Sequence, residues 1–412
     1  MPLKIGIVTG EYPPHQGGVG DFTREIAHAL ADLGHEVHIV THINARPEGF
    51  REAPRSEAER AKPFGSLTIH PVVASWNLQS LISIRQLAHD LKLDLLNIQY
   101  QAAAYGMTPP IHFLPLVVGV PCVMTFHDLR VPYLFPKAGA LRWQAIMLLA
   151  KTSAGVIVTN PEDRLTLEKN LWNADDAERA RKNADKMLVE IPIGSNIKAN
   201  SKLQTPNSKK ETRRKYGIGE DDVVIGYFGF LNASKGGETL FRAISQLPIT
   251  NYRLLLIGGR SGTSDPTNQA YAEQLDSLAN ELGISDRIIR TGYLSSEETT
   301  QAFRACDMMA MPYEDGASFR RGTFMACLVH GMPTITTQPS ISLPQLKHGE
   351  NIFFISSGSP FPLSSAISEL ANDSNLRAQL SRGALELSDQ FTWDKIAKRT
   401  GEFFERVLIE TR

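Results

Sequence analysis

The chain has 412 residues, 42% of them apolar and 21% charged, a composition that folds around hydrophobic cores and argues against disorder. That length is more than one core usually fills, so two domains of roughly 150–200 residues each are expected. The formal net charge of −1, with no long basic run, argues against nucleic acid as the main partner, because neutralising phosphates needs concentrated Lys and Arg.

The sequence opens on a strand-like run, LKIGIV, without the charged and apolar regions of a secretory signal. Strands in the first half are predicted at residues 3–8, 36–41, 67–72, 93–98, 121–126 and 155–159. Their apolar runs are continuous rather than alternating, as in strands buried on both faces. Between the first two lies DFTREIAHALADLG, where Phe22, Ile26, Leu30 and Leu33 share a helical face and Gly34 is a natural stop. The most apolar stretch, FLPLVVGVPCVMTF, contains two prolines and is too short to span a bilayer. Residues 173–220 turn polar and charged, apart from MLVEIPIGSNI, and are read as a helical insertion, a short strand and an interdomain connection. The strand pattern then restarts at 223–228, 253–257, 287–291, 307–311, 333–336 and 351–354. Two successive βα sets predict an α/β protein of two doubly wound parallel sheets. Ligands of such sheets bind beyond the carboxyl ends of the strands, so the cleft between two facing domains is the expected site. Cys122, Cys306 and Cys327 are odd in number and have no CxxC spacing, which points to buried reduced thiols in a cytoplasmic protein.

Four stretches carry residues suited to chemistry. In TGEYPPHQGGVGDFTREI, Pro13 and Pro14 fix a loop, and Gly17, Gly18 and Gly20 let backbone approach a ligand ahead of a helix start, which favours phosphate. The stretch is not GxGxxG, and Thr41 and His42 stand where a dinucleotide fold would place an acid, so a plain structural turn stays open. In MTFHDLRVP, His127 lies just past a strand end, either as a ligand group or as a structural histidine, with Asp128 orienting it or capping the next turn. In YFGFLNASKGGETLFRAI, a strand ends at Gly229, and Lys235 precedes Gly236, Gly237 and a helix. This has the logic of a phosphate turn without the Walker pattern, or Lys235 is an ordinary solvated lysine. In YEDGASFRRGTFMACLVHGMP, Arg320 and Arg321 stand near a helix start beside Gly322 and Thr323, so guanidinium groups, backbone N–H groups and a hydroxyl can converge on an anion. The arginines can instead pair with Glu314 and Asp315. Together, Lys235 and the arginines can stabilise a diphosphate leaving group without a metal. No acidic cluster suggests a magnesium cage, and no Cys/His spacing suggests zinc.

These loops, with TGYLSSEETTQAFRACDMMAMPY, GMPTITT and the closing FTWDKIAKRTGEFFERVL, fall in the order found in one family. The chain resembles retaining glycosyltransferases of the GT-B fold, family 4, in a branch with a DGxSxRRGT donor loop. The resemblance covers nearly the whole chain. It implies an acceptor-side Rossmann-like domain at 1–195, a nucleotide-sugar donor domain at 196–385, and a helical segment at 386–412 that crosses back to the first domain. The implied donor is a nucleotide-diphosphate sugar, and the implied acceptor is a glycan, a lipid-linked molecule or a small metabolite. No cofactor and no metal are expected. By position, His127 would hydrogen-bond the donor sugar, while Lys235 and the backbone from Arg321 to Thr323 would hold the diphosphate. Gly17, Gly18, Gly229, Asn232, Asp315, Gly316, Ser318, Gly322 and Thr323 would complete the donor site, and Tyr12 and Gln101 would face the acceptor. A front-face reaction would let the leaving phosphate oxygen take the acceptor's proton, with no dedicated base.

The chain departs from the family pattern at three positions. Ser318 and Ala326 stand where glutamates are usual, and Phe230 stands where an arginine is usual. The expectation is that Arg320 and Arg321 supply the missing charge from the other wall, and that Ala326 alters nucleotide choice more than activity. A degenerate subunit that binds sugar nucleotide or supports a partner is the alternative; an epimerase or phosphorylase of the same fold is a third reading. In the first domain, PYLFPKAGALRWQAIMLLAK carries Leu141, Ile146 and Leu149 with Lys137, Arg142 and Lys151. It reads as a buried core helix, or as contact with a lipid-linked acceptor or the inner membrane face.

Overall fold

The computed structural model describes residues 2–15, 17–45, 65–130, 141–171, 188–199, 206–248, 251–259 and 266–411. The chain divides into two compact units, Met1–Gly194 with Thr392–Arg412, and Ser195–Phe391.

In the first unit, β1 (Lys4–Thr9), β2 (Glu36–His42), β3 (Leu67–Val73), β4 (Leu95–Tyr100), β5 (Cys122–Phe126), β6 (Gly155–Val158) and β7 (Leu188–Glu190) form one sheet. Among the described residues it runs in the order β3-β2-β1-β4-β5-β6-β7, every pairing parallel. Its middle strands are buried throughout because helices cover both faces, and neighbouring residues go to opposite cores. Leu96, Ile98 and Met124 join Ile84, Leu114 and Ile146 on one side. Ile5, Ile7, Leu95 and Val123 join Phe22, Ile26 and Leu30 on the other. The closing helix Trp393–Thr411 adds Ile396, Phe403, Phe404 and Val407 to that second core, which is why the C-terminal residues belong to the first unit.

The helix Gly18–Asp32 stops before Leu33, which is the C-cap and 48% exposed, so it leaves the buried face predicted for it. In the helix Leu141–Thr152, Ile146 and Leu149 are buried, whereas Leu141 and Lys151 are exposed. Lys137, the Arg142 side chain and residues 173–187 of the predicted insertion lie outside the described residues. Among the described residues no helix is long and apolar enough to cross a membrane. The three cysteines are free and buried.

The second unit holds β8 (Val223–Phe228), β9 (Tyr252–Ile257), β10 (Ile288–Arg290), β11 (Met308–Met311), β12 (Thr334–Thr337) and β13 (Phe353–Ile355). Among the described residues these run β10-β9-β8-β11-β12-β13, again parallel. The predicted strand at 287–291 shrinks to three residues because Ser285–Arg287 closes a tight turn. At the opposite end of β11, Asp307 accepts from Arg213 Nη2 at 2.7 Å, Lys209 Nζ at 2.9 Å and Val224 N at 2.8 Å, which pins the helix Pro206–Lys215 to the sheet.

Strand order reverses between β1 and β4 in the first sheet and between β8 and β11 in the second. Loops leaving the carboxyl ends at such points diverge and open a crevice.

Candidate functional site

In the second unit the loops leaving β8 and β11 carry the three predicted cations, Lys235, Arg320 and Arg321. Gly229 follows β8 with φ of 104°, a conformation that suits glycine, and a Cβ there would lie 2.7 Å from Thr323 Cγ2 and 3.6 Å from Lys235 Nζ. The missing side chain therefore leaves bare backbone beside an ammonium group. Asn232 precedes the 3-10 turn Ala233–Lys235, and its Oδ1 accepts from Ser234 Oγ at 2.9 Å. Lys235 Nζ donates to the Phe230 carbonyl at 3.0 Å, the one hydrogen bond of its side chain among the described residues, while its backbone N–H donates to Asn232 O at 3.0 Å. Burial, with the nearby Arg321 charge adding to it, brings the Lys235 ammonium down to about 8.

Across the crevice, Arg320 and Arg321 share one carboxylate. Asp315 Oδ2 lies 3.2 Å from Arg320 Nη2, and Asp315 Oδ1 accepts from Arg321 Nη2. Glu314 is engaged elsewhere, accepting from Thr239 Oγ1 at 3.0 Å and Ser357 Oγ at 3.2 Å. Of the two acids that the sequence offers the arginines, the structure pairs them with Asp315. The Arg321 guanidinium lies 4.1 Å over the Tyr313 ring, and its buried Nε has no hydrogen-bond partner among the described residues. Tyr313 Oη in turn pairs with Thr323 Oγ1 at 3.0 Å. Ser318 is buried; its carbonyl accepts from Arg321 N at 3.2 Å and its hydroxyl from Arg320 N at 3.5 Å. Gly316 sits close under the next loop, where a Cβ would come within 2.5 Å of the Gln338 carbonyl. Gly322 opens the helix Gly322–Val329, with Arg321 as its N-cap and no side chain capping it. Ala326 is fully buried in that helix, and at Phe230 the backbone carbonyl is what engages Lys235.

In the first unit His127 follows β5. Its backbone N–H donates to Tyr100 O at 3.2 Å, its ring meets Phe22 edge-on at 4.7 Å, and its Nε2 lies 2.8 Å from Gln99 Oε1. Burial lowers its pKa to about 4, with Asp128 pulling weakly the other way. Asp128 itself is held by Arg130, with Nη2 at 2.8 Å and the backbone N–H at 2.9 Å.

The profile of glycosyl transferases group 1 matches residues 208–386, and that of the glycosyl transferase 4-like domain matches residues 17–178. This chain belongs to the group 1 glycosyltransferases. It is 27% identical over 267 residues to the D-inositol 3-phosphate glycosyltransferase of Stackebrandtia nassauensis. That stretch covers 62% of this chain and 56% of the relative, so the chain spans little more than half of that protein. An uncharacterized glycosyltransferase of Methanocaldococcus jannaschii is 21% identical over 412 residues, 97% of each chain. Among solved structures, Anabaena HepE in complex with UDP and glucose superimposes with a TM-score of 0.70 at 19% identity, over 97% of this chain and 98% of that one. Sucrose-phosphate synthase of Thermosynechococcus elongatus gives 0.71 at 19% identity, over 98% and 99%. The shared fold is GT-B.

Within this group 1 glycosyltransferase, the first glycine loop holds an acid that its sequence pattern did not single out. Glu11 Oε1 accepts from Val19 N at 3.0 Å and Gly20 N at 3.2 Å, so the first-turn N–H groups of the helix Gly18–Asp32 already hold a carboxylate of the same loop. Gly17 admits it, since a Cβ at Gly17 would fall 2.2 Å from Glu11 Oε1, while Gly18 has open space. Burial raises the Glu11 pKa, and the two N–H bonds oppose that rise. An acid seven residues ahead of a helix start was the available signal, but only the returning loop brings the two together. Tyr12 is buried in the second core, and Gln101 is half-buried at the start of the 3-10 turn Ala102–Tyr105.

Proposed function

We propose that this chain moves a hexosyl group from a UDP- or GDP-linked sugar to a hydroxyl acceptor, with retention at the anomeric carbon. The observation that carries the reading is the placement of Lys235 and Arg321 on the two loops at the β8/β11 reversal, close enough for each charge to act on the other, with Lys235 beside the bare backbone of Gly229. A sugar nucleotide leaves as a diphosphate, and fixed cations aimed at its oxygens lower the barrier because the charge grows as the glycosidic bond breaks. In this reading the acceptor oxygen bonds to the anomeric carbon on the face the diphosphate leaves, and the departing phosphate oxygen takes the acceptor's proton. The side chain beside His127 that could act as a base or nucleophile, Asp128, is occupied by Arg130. Support for a UDP donor comes from Anabaena HepE, whose structure holds UDP and glucose. Acceptors proposed are a glycan, a lipid-linked molecule or a small polyol, the last supported by the name of the Stackebrandtia relative.

A second reading, a subunit that binds sugar nucleotide without turnover, is favoured by Ala326, whose buried methyl group offers nothing to a ribose. One assay separates the two. UDP- and GDP-hexoses are incubated with the protein in EDTA, and released nucleotide and sugar are followed by NMR. Nucleotide release, with the first-formed sugar keeping the donor's anomeric configuration, is expected, because Lys235 and Arg321 supply the charge a metal would. Inverted sugar would contradict the mechanism, and binding without release would favour the second reading.

A further inference from the structure

Two amide side chains lie on the central strand β4, where its neighbours Leu96 and Ile98 are apolar: Asn97 is 2% exposed and Gln99 is 1% exposed. Buried amides on a central strand cost stability unless every polar atom is satisfied. These are satisfied in series. Asn97 and Gln99 share a face of β4, and the parallel register sets Asn97 beside Val123 and Gln99 beside Thr125. Asn97 Nδ2 donates to the Val123 carbonyl at 3.0 Å and to Thr125 Oγ1 at 2.9 Å. Gln99 Nε2 donates to Asn97 Oδ1. Gln99 Oε1 then faces His127 Nε2 at 2.8 Å.

A backbone carbonyl can only accept, so the Val123 oxygen sets the direction of the whole series. It requires the nitrogen of Asn97 on its side and hence the oxygen of Asn97 toward Gln99. Gln99 must answer with its nitrogen, which leaves its oxygen toward the histidine. An acceptor at that place requires a proton on His127 Nε2. We infer that Asn97 and Gln99 are positioning residues that lock His127 in its Nε2-protonated tautomer and leave Nδ1 as a hydrogen-bond acceptor. Burial keeps the ring neutral near pH 7, in accord with this assignment.

The inference rests on the proposed contact of His127 with the donor sugar, and it specifies that contact. An unprotonated Nδ1 accepts from a sugar hydroxyl but cannot donate to a phosphate oxygen. His127 therefore reads a hydroxyl of the transferred sugar and does not hold the diphosphate. A donor deoxygenated at the position it meets should lose turnover while keeping its nucleotide affinity.

The test is long-range proton–nitrogen NMR of protein labelled with 15N-histidine, with the His127 signals identified by their absence in His127→Ala. In the unmodified protein at neutral pH, Nε2 should carry the proton and Nδ1 should not. Gln99→Met removes the acceptor and should shift the ring toward the other tautomer, with turnover down roughly tenfold or more and nucleotide affinity kept. A protonated Nδ1 in the unmodified protein would overturn the inference without any variant, as would an unchanged ring pattern in Gln99→Met. Failure of the donor-sugar reading looks different: His127→Ala would then turn over normally, whatever the tautomer.

Discussion

At Lys235, burial works against the charge that a diphosphate needs. Its ammonium titrates near 8 rather than 10.5, so the unliganded site loses that charge as pH rises through 8. A diphosphate that binds the charged form should bind progressively more weakly above pH 8, by up to about tenfold per pH unit. Isothermal titration with UDP from pH 7 to 10 should show that slope, and Lys235→Met should bind more weakly and flatten it. An unchanged slope in the variant would remove Lys235 from the site. Stability runs the other way: between 8 and 10.5 the unfolded chain holds more protons than the folded one, so this residue adds stability as pH rises. His127 and Lys235 stood out in the sequence because the first follows an apolar strand and the second lies between a strand end and a glycine pair. Glu11 and the amide series were not, since a loop's return and a parallel register decide who meets whom.

At the scale of elements, the strands were readable because continuous apolar runs mark strands covered on both faces. Their ends were less so: the run predicted at 93–98 pairs as Leu95–Tyr100 because Leu93 N still bonds back to Ala88 O in the preceding turn. The helix Pro206–Lys215 has little apolar surface, and Asp307 holds it through Arg213 and Lys209. Although burial alone would raise the Asp307 pKa, Lys209, the Val224 N–H and Arg213 bring it below its ordinary value of 3.8. A depressed carboxylate adds stability that is present above its unfolded pKa and is lost as pH falls through the lower folded value. Asp307→Ala should therefore cost about 3 kcal/mol at neutral pH, because two cations lose a shared partner. Urea unfolding should show that gap narrowing below pH 3.8. A gap that stays constant with pH would mean the loss is one of packing.

At the scale of the whole molecule, two parallel sheets of one chain place a reversal point in each unit, and residues singled out in the sequence lie on loops leaving the carboxyl ends of their strands. The twofold βα pattern was plain in the sequence; which acid meets Arg320 and Arg321 was not, and the loop's fold gives that place to Asp315. The account stands or falls on a working diphosphate site built from the β8 and β11 loops. The most direct test is calorimetric titration of UDP, GDP and ADP, without metal, into the protein and into Arg321→Ala. One nucleotide should bind the unmodified protein, and Arg321→Ala, which loses the cation stacked on Tyr313, should bind it about tenfold to a hundredfold more weakly while melting as a folded protein. Equal affinity in the two proteins, or no binding of any nucleoside diphosphate, would contradict it.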